Sequence, residues 1–304
     1  MNTHSFENRH IGIQEKDVQV MLNKINASSI EELIDQTIPK AIRLKEELNV
    51  GEAVSEFDYL NELKSIAHKN KNNDNYIGQC YYGTITPSVI QRNILCNPGW
   101  YTAYTPYQAE IAQGRLEALL NFQTVITELT GMEIANASLL DEATAAAESM
   151  LMFFHMRSRA QVKANANKFF ISEKVFKQNL NVMIARAEPL DIEIVIGDPS
   201  KFELTDEFFG SIVQYPNSFG EVEDYSSWTS KSHEINLPVS VIADIMSLVL
   251  LPSPGSWGAD VVVGSTQRFG VPMGYGGPHA AFFAAKTEYK RHFPGRIIGV
   301  PRTD

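Results

Sequence analysis

The sequence predicts an α/β fold, a mainly parallel sheet with helices on both faces, preceded by a helical N-terminal segment. Two observations carry that expectation. From Phe169 to Ala243, short apolar runs of strand length alternate with helical or loop connections, the pattern of parallel strands joined by crossovers. Further on, Trp257–Ala284 holds two more such runs, valine-rich Asp260–Gly264 and Ala280–Ala284. Between them lie a polar turn, Ser265, Thr266, Gln267 and Arg268, and then Gly274–Pro278, too rich in glycine for regular structure.

The elements follow in chain order. Val18, Met21, Leu22 and Ile25 recur at helical spacing and predict a first amphipathic helix. Ser28 or Ser29 opens a second, with Glu31 or Glu32 placed to complete a capping box and Pro39 closing it. A third starts at Ser55 and is expected to bury Leu60, Leu63 and Ile66. Asparagine-rich Lys69–Asn75 reads as a loop, which divides the chain into a helical segment, 1–75, and a large domain, 76–304. The leader serves either as a subunit contact or as a helical pad on the main domain.

Tyr76–Gln108 differs in kind, with tyrosines interleaved among Thr, Pro and Gly. A short helix is expected from Pro87 to about Asn97. Such a segment can place phenolic hydroxyls in a pocket or simply pack an interface, since tyrosine has an apolar body and a polar tip. Residue types alone favour packing. Ala109–Thr130 reads as a long helix stopped by Gly131. Gly114 inside it costs about 1 kcal/mol relative to alanine, for which a close backbone approach is one explanation. Asp141 is placed to cap an alanine-rich helix opening at Glu142. Strands are expected at Phe169–Ser172, Ile192–Ile196, Ile212–Gln214 and Val239–Ala243, with a helix after the first reaching about Ala185. Asp244 leaves the last of these strands, where ligands of open α/β sheets bind, although an aspartate there also serves as a plain loop cap.

Composition excludes several classes. The 304 residues are 44% hydrophobic and 20% charged, ordinary for a globular protein. A net charge of −10 argues against a nucleic-acid footprint. No apolar run has the length of a membrane span, and Met1–Gly12 has no signal-peptide core, so a cytoplasmic address is expected. The two cysteines, Cys80 and Cys96, form no C-x-x-C and need no function. The seven histidines lack partners at helical spacing, so no metal site is expected. Gly274–Gly277 precedes a strand rather than a helix and is not a dinucleotide fingerprint.

Four stretches carry a family resemblance: F-E-N-R-H-I-G at Phe6–Gly12, Y-T-A-Y-T-P-Y-Q at Tyr101–Gln108, N-A-S-L-L-D-E-A-T-A-A-A-E at Asn136–Glu148, and G-S-T-Q-R-F-G-V-P-M-G-Y-G-G-P-H at Gly264–His279. Their order and spacing resemble the N-terminal half of the glycine cleavage system P-proteins, the decarboxylating glycine dehydrogenases. The resemblance implies an aspartate-aminotransferase-like large domain of the fold type I, pyridoxal-phosphate-dependent class. It implies an enzyme that decarboxylates glycine with pyridoxal phosphate as electron sink and passes the aminomethyl group to the lipoyl group of the H-protein. In that family only the other half carries the cofactor lysine, and the chain is expected to be truncated at Asp304.

Here no lysine occurs between Lys231 and Lys286. Asp141, Glu142, Thr144, Asp244, Gln267 and Arg268 are therefore expected to form a vestigial cofactor site with no catalytic residue. Arg268 cannot replace the lysine, because a guanidinium stays protonated. Carboxylates at the helix start would repel the cofactor phosphate. A charge pair at about 4 Å costs about 4 kcal/mol at an effective dielectric of about 20, against about 0.3–1 kcal/mol from a helix dipole. No cofactor is expected in this chain. The resemblance further implies that Tyr82, Tyr104, Tyr107, Gln108 and His279 line the active site of a lysine-bearing partner half, in a dimer, while packing remains the plainer role for His279. Two rival readings stay open: an active pyridoxal-phosphate enzyme using another lysine, and a stand-alone binding or scaffold module.

Overall fold

A computed structural model describes residues 6–46, 48–102 and 104–300. The chain divides into two compact units, Met1–Asp74 and Asn75–Asp304.

The first unit is helical, with α1 at Glu15–Lys24, α2 at Ile30–Thr37 and α3 at Glu56–Ala67. Ser29 caps α2, accepting the Glu32 N–H at 3.1 Å. The Glu32 carboxylate reaches one residue further back than a capping box would, accepting from the Ser28 N–H and hydroxyl at 2.6 and 2.5 Å. Ser55 caps α3. The expected burial of its apolar stripe does not occur: Leu60, Leu63 and Ile66 are all exposed. Helical spacing shows which residues share a face, not whether anything covers that face.

The second unit is built on a seven-stranded sheet: β1 Ile134–Ala135, β2 Lys168–Ser172, β3 Glu193–Gly197, β4 Phe208–Tyr215, β5 Val239–Ala243, β6 Val261–Ser265 and β7 Ala281–Ala285. Their order is β1-β7-β6-β5-β4-β2-β3. The five strands from β3 to β6 run parallel, while β7 is antiparallel to β6 and β1 antiparallel to β7. Helices cover both faces. On one lie α5 (Glu142–His155) and α6 (Lys177–Ala187), packing Ala146, Met150, Phe153 and Met183 against Phe169, Ile212 and Val263. On the other lie α4 (Ala109–Thr130) and α7 (Ser226–Glu234), packing Ile126 and Trp228 among Phe170, Val241 and Phe282.

Two glycines set the geometry. Gly131 takes φ 69° and ends α4 in the left-handed conformation, which costs glycine nothing. Gly264 lets β6 approach its neighbours: a Cβ there would stand 2.1 Å from the Ala243 carbonyl oxygen. Gly114 has open space around it instead, so no close backbone approach explains it.

Candidate functional site

Three adjacent parallel strands, β4, β5 and β6, end side by side, and their next residues build a pocket of about 380 Å³. It is lined by Gln214 near the end of β4 and Asn217 after it, by Asp244 after β5, and by Ser265 at the end of β6 and Arg268 in the turn that follows. Segment 77–82 crosses its wall, contributing Cys80 and Tyr82, and α5 contributes Glu142 from its first turn. The carboxyl edge of a doubly covered parallel sheet is where such folds bind ligands. A larger groove of about 700 Å³ lies between residues 198–204 and α7, away from every residue singled out in the sequence.

Asp141 does cap α5, its carboxylate accepting the Thr144 N–H at 2.7 Å. That N–H is thereby taken from any phosphate. Glu142 turns inward and is 6% exposed. Asn179 Nδ2 donates to its Oε1 at 2.7 Å, and Cys80 Sγ lies 3.4 Å from its Oε2. Burial pushes the Glu142 carboxyl up to about 7, with the nearby Asp244 charge adding to the effect and hydrogen bonds from Asn179, Cys80 and the Ser265 backbone opposing it. Burial thus favours the protonated form of this carboxyl more than that of an exposed glutamate. Burial, reinforced by Glu142, also raises the Cys80 thiol, so it is a hydrogen-bond donor and not a nucleophile.

On the opposite wall, Arg268 Nη1 lies 3.4 Å from Asp244 Oδ2, and its guanidinium stacks 4.4 Å from the centre of the Tyr82 ring. Asp244 Oδ1 accepts the Met246 N–H at 3.0 Å, the loop-cap role, while its other oxygen faces the arginine. Burial raises the Tyr82 phenol. Gln267, at the tip position, is 1% exposed, and its amide nitrogen has no hydrogen-bond partner. The backbone at Gly78, Gln79 and Cys80 is left-handed at three successive residues, φ 66°, 51° and 74°. Strain of this kind collects where a segment must be held in one shape at a site.

Asp141, Glu142, Asp244 and Arg268 are thus brought to one region, with Tyr82 over it. His279 lies at its edge, its ring edge-on to Tyr81 at 6.1 Å. Tyr104, Tyr107 and Gln108 do not line this pocket. Arg115 Nη1 donates to the Tyr104 carbonyl at 2.7 Å, and the Tyr104 hydroxyl accepts the Gln108 N–H at 3.3 Å. The Arg296 guanidinium lies over the Tyr107 ring. Sequence reasoning missed Cys80, Asn179 and Asn217. Cys80 sits inside the tyrosine-rich stretch already singled out, but nothing in the local sequence marks Asn179. Among the described residues, no His, Cys, Asp and Glu group could hold a metal ion.

The sheet order, the two helical layers and the pocket at the carboxyl edge define an aspartate-aminotransferase-like large domain. Comparison narrows the class. The family model of the glycine cleavage system P-protein matches residues 8–304, and the chain belongs to that family. It is 57% identical over 300 residues to the glycine dehydrogenase (decarboxylating) of Flavobacterium johnsoniae, covering 99% of this chain and 32% of that protein. The enzyme of the same name from a Nostoc species is 56% identical, with 98% and 30% covered. The chain thus spans about a third of the curated relatives it matches. Among solved structures, an inhibitor-bound glycine decarboxylase (P-protein) of the glycine cleavage system superposes with a TM-score of 0.83 at 33% identity, covering 94% of this chain and 64% of that one. A sphingosine-1-phosphate lyase from Burkholderia pseudomallei, at 13% identity and a TM-score of 0.51, shares the fold alone.

Proposed function

We propose that this chain is the lysine-less N-terminal part of a glycine decarboxylase. The whole enzyme would decarboxylate glycine and pass its aminomethyl group to the lipoyl group of the H-protein. In this reading the lysine-bearing half holds pyridoxal phosphate, and the present chain shapes and covers that half's active site within a dimer in the cytoplasm. Among the described residues, no helix is long and apolar enough to cross a membrane.

The observation that carries the reading is the family match along nearly the whole chain combined with a tip that has lost its amine. The residues present do not fit pyridoxal phosphate. Gln267 offers a carboxamide, which is not a Schiff-base nucleophile. Asp244 faces Arg268, the Thr144 N–H at the helix start is taken by Asp141, and Glu142 occupies the adjoining wall. No step is therefore assigned to the cofactor in this pocket. Tyr104, Tyr107 and Gln108 lie apart from the pocket, which supports a role toward a partner rather than toward their own site. The near end-to-end match to enzymes about three times as long weighs against a stand-alone scaffold.

Reconstitution tests the proposal. The lysine-bearing remainder, produced separately and loaded with cofactor, should exchange glycine carboxyl with bicarbonate, in the presence of H-protein, only when this chain is added. Equal exchange by the remainder alone would refute the supporting role. Exchange by this chain alone would revive the reading as an active enzyme.

A further inference from the structure

We propose that Arg115 and Arg296 are positioning residues, which hold Tyr104 and Tyr107 in the one arrangement that serves the active site of the lysine-bearing half. The inference rests on the reading that segment 104–108 acts toward a partner.

The segment has little of its own to hold it. It contains no helix or strand, and the hydrogen bonds it makes within itself are local. The Tyr107 N–H donates to the Thr105 carbonyl at 2.7 Å, and the Gln108 N–H to the Tyr104 hydroxyl at 3.3 Å. Two arginines tie it to the domain, each by the same pair of contacts. Arg115 Nη1 donates to the Tyr104 carbonyl at 2.7 Å, and its guanidinium lies 5.4 Å from the centre of the Tyr104 ring. Arg296 Nη1 donates to the Pro106 carbonyl at 3.1 Å, and its guanidinium lies 5.0 Å from the centre of the Tyr107 ring. Among the described residues neither arginine forms an ion pair. A planar fork that bonds the main chain while facing the ring fixes the backbone and the side chain together.

Both arginines stand on firm supports. Arg115 belongs to α4, which buries Ile126 in the core. The Arg296 carbonyl accepts the Ala137 N–H at 2.7 Å, and two residues on, the side-chain amide of Gln123 holds both backbone groups of Ile298. Gln123 is a buried residue of α4, so one helix braces both clamps. A loop ordered before its partner arrives spares the complex the entropy of ordering it. Placement matters because a shift of about 1 Å at a reacting centre can cost about a hundredfold in rate.

Double-mutant cycles in the reconstituted enzyme test this, with assembly and cofactor content confirmed for each variant. Arg115→Ala and Arg296→Ala should each lower kcat/KM for glycine–bicarbonate exchange by about threefold to tenfold, while thermal unfolding of the chain stays near that of the parent. Where alanine destabilises the fold, Arg115→Lys or Arg296→Lys, which keeps the charge and loses the fork, takes its place. Because each arginine acts through its tyrosine, Arg296→Ala should add less than about twofold to the loss in Tyr107→Phe, and Arg115→Ala likewise to that in Tyr104→Phe. An arginine with a merely structural role would multiply its loss onto that of the tyrosine. Full multiplication in either cycle, or parent-like kcat/KM in either arginine variant, would overturn the inference. Failure of the underlying reading shows separately, as parental kinetics in Tyr104→Phe and Tyr107→Phe themselves, and takes the inference with it.

Discussion

Glu142 holds its carboxyl away from water beside Asp244, Cys80 and Asn179, and this has a measurable consequence. Its folded-state pKa stands at about 7, against 4.5 in the ordinary state. A raised pKa means that the folded chain binds this proton more tightly than the unfolded chain. The resulting stability is fully present below about pH 4.5 and is lost as pH rises through about 7. A shift of this size corresponds to about 3 kcal/mol. Glu142→Gln should remove that pH dependence and be more stable than the parent above neutrality, as measured by denaturant unfolding at about pH 5 and about pH 8. An unchanged slope in the variant would show that the carboxyl reaches solvent.

A second residue at this scale lies at the far end of β6. Asp260 is 3% exposed and accepts from the Val239 N–H at 2.8 Å while pairing with Lys286 at 2.5 Å and His233 at 2.8 Å. Asp260→Ala should cost about 3 kcal/mol, because it strips a buried backbone N–H, the Lys286 ammonium and the His233 ring of their acceptor. Equilibrium unfolding checks the figure, and a loss below about 1 kcal/mol would contradict it. The sequence made only some of these roles legible. Asp141 could be read as a cap because a cap is local, within three residues of its partner. Glu142 contacts Cys80 and Asn179 at separations of 62 and 37 residues, and no local pattern encodes such a meeting.

At the scale of elements, α7 was not foreseen, whereas helices α1 to α6 and six of the seven strands were readable from apolar runs and caps. The exception is β1, whose two residues pair with Ala284 and Ala285 and are too short to show any periodicity. The exposed stripe on α3 is the opposite case, since its pattern was clear but its burial was not encoded. Gly264 gives a direct test of how tightly β6 is held. A methyl group there would meet the Ala243 carbonyl and the Phe282 ring, so Gly264→Ala should displace the strand and cost about 3 kcal/mol or more. Unfolding within about 0.5 kcal/mol of the parent would mean that the sheet yields easily.

Segment Tyr101–Gln108 carries the prediction that bears on function. If it lines a partner's site, Tyr104→Phe, Tyr107→Phe and Gln108→Ala in an assembled enzyme should leave folding and cofactor content intact. Each would lower kcat/KM by about threefold to tenfold or more, the loss of one hydrogen bond. Unchanged exchange rates in all three variants would leave the segment as packing.

For the whole molecule, the position of the exposed apolar groups matters most. Leu250 is 87% exposed, and Ile85 in the tyrosine-rich segment is 89% exposed. Single exposed residues of this kind are ordinary, and only a contiguous apolar patch marks a place where another chain docks. Near the end of the chain the apolar residues are divided between exposed and packed. Ile297 and Val300 are exposed, but Phe293 packs on Phe283, and Gln123 holds both backbone groups of Ile298. The last four residues of that stretch, 301–304, lie outside the described residues. What sequence alone could not supply at this scale was the arrangement of the pocket. The missing lysine was legible, while the pairing of Arg268 with Asp244 and the inward turn of Glu142 depend on three strands ending together.

The central claim is that this half has a cofactor-site frame and no cofactor chemistry. It is tested most directly by titrating the purified chain with pyridoxal phosphate while following visible absorbance and thermal stability. The account predicts no borohydride-sensitive band and no saturable thermal shift, both for the parent and for Gln267→Lys, in which Arg268 and Glu142 still border the pocket. A micromolar dissociation constant for the parent chain would contradict it.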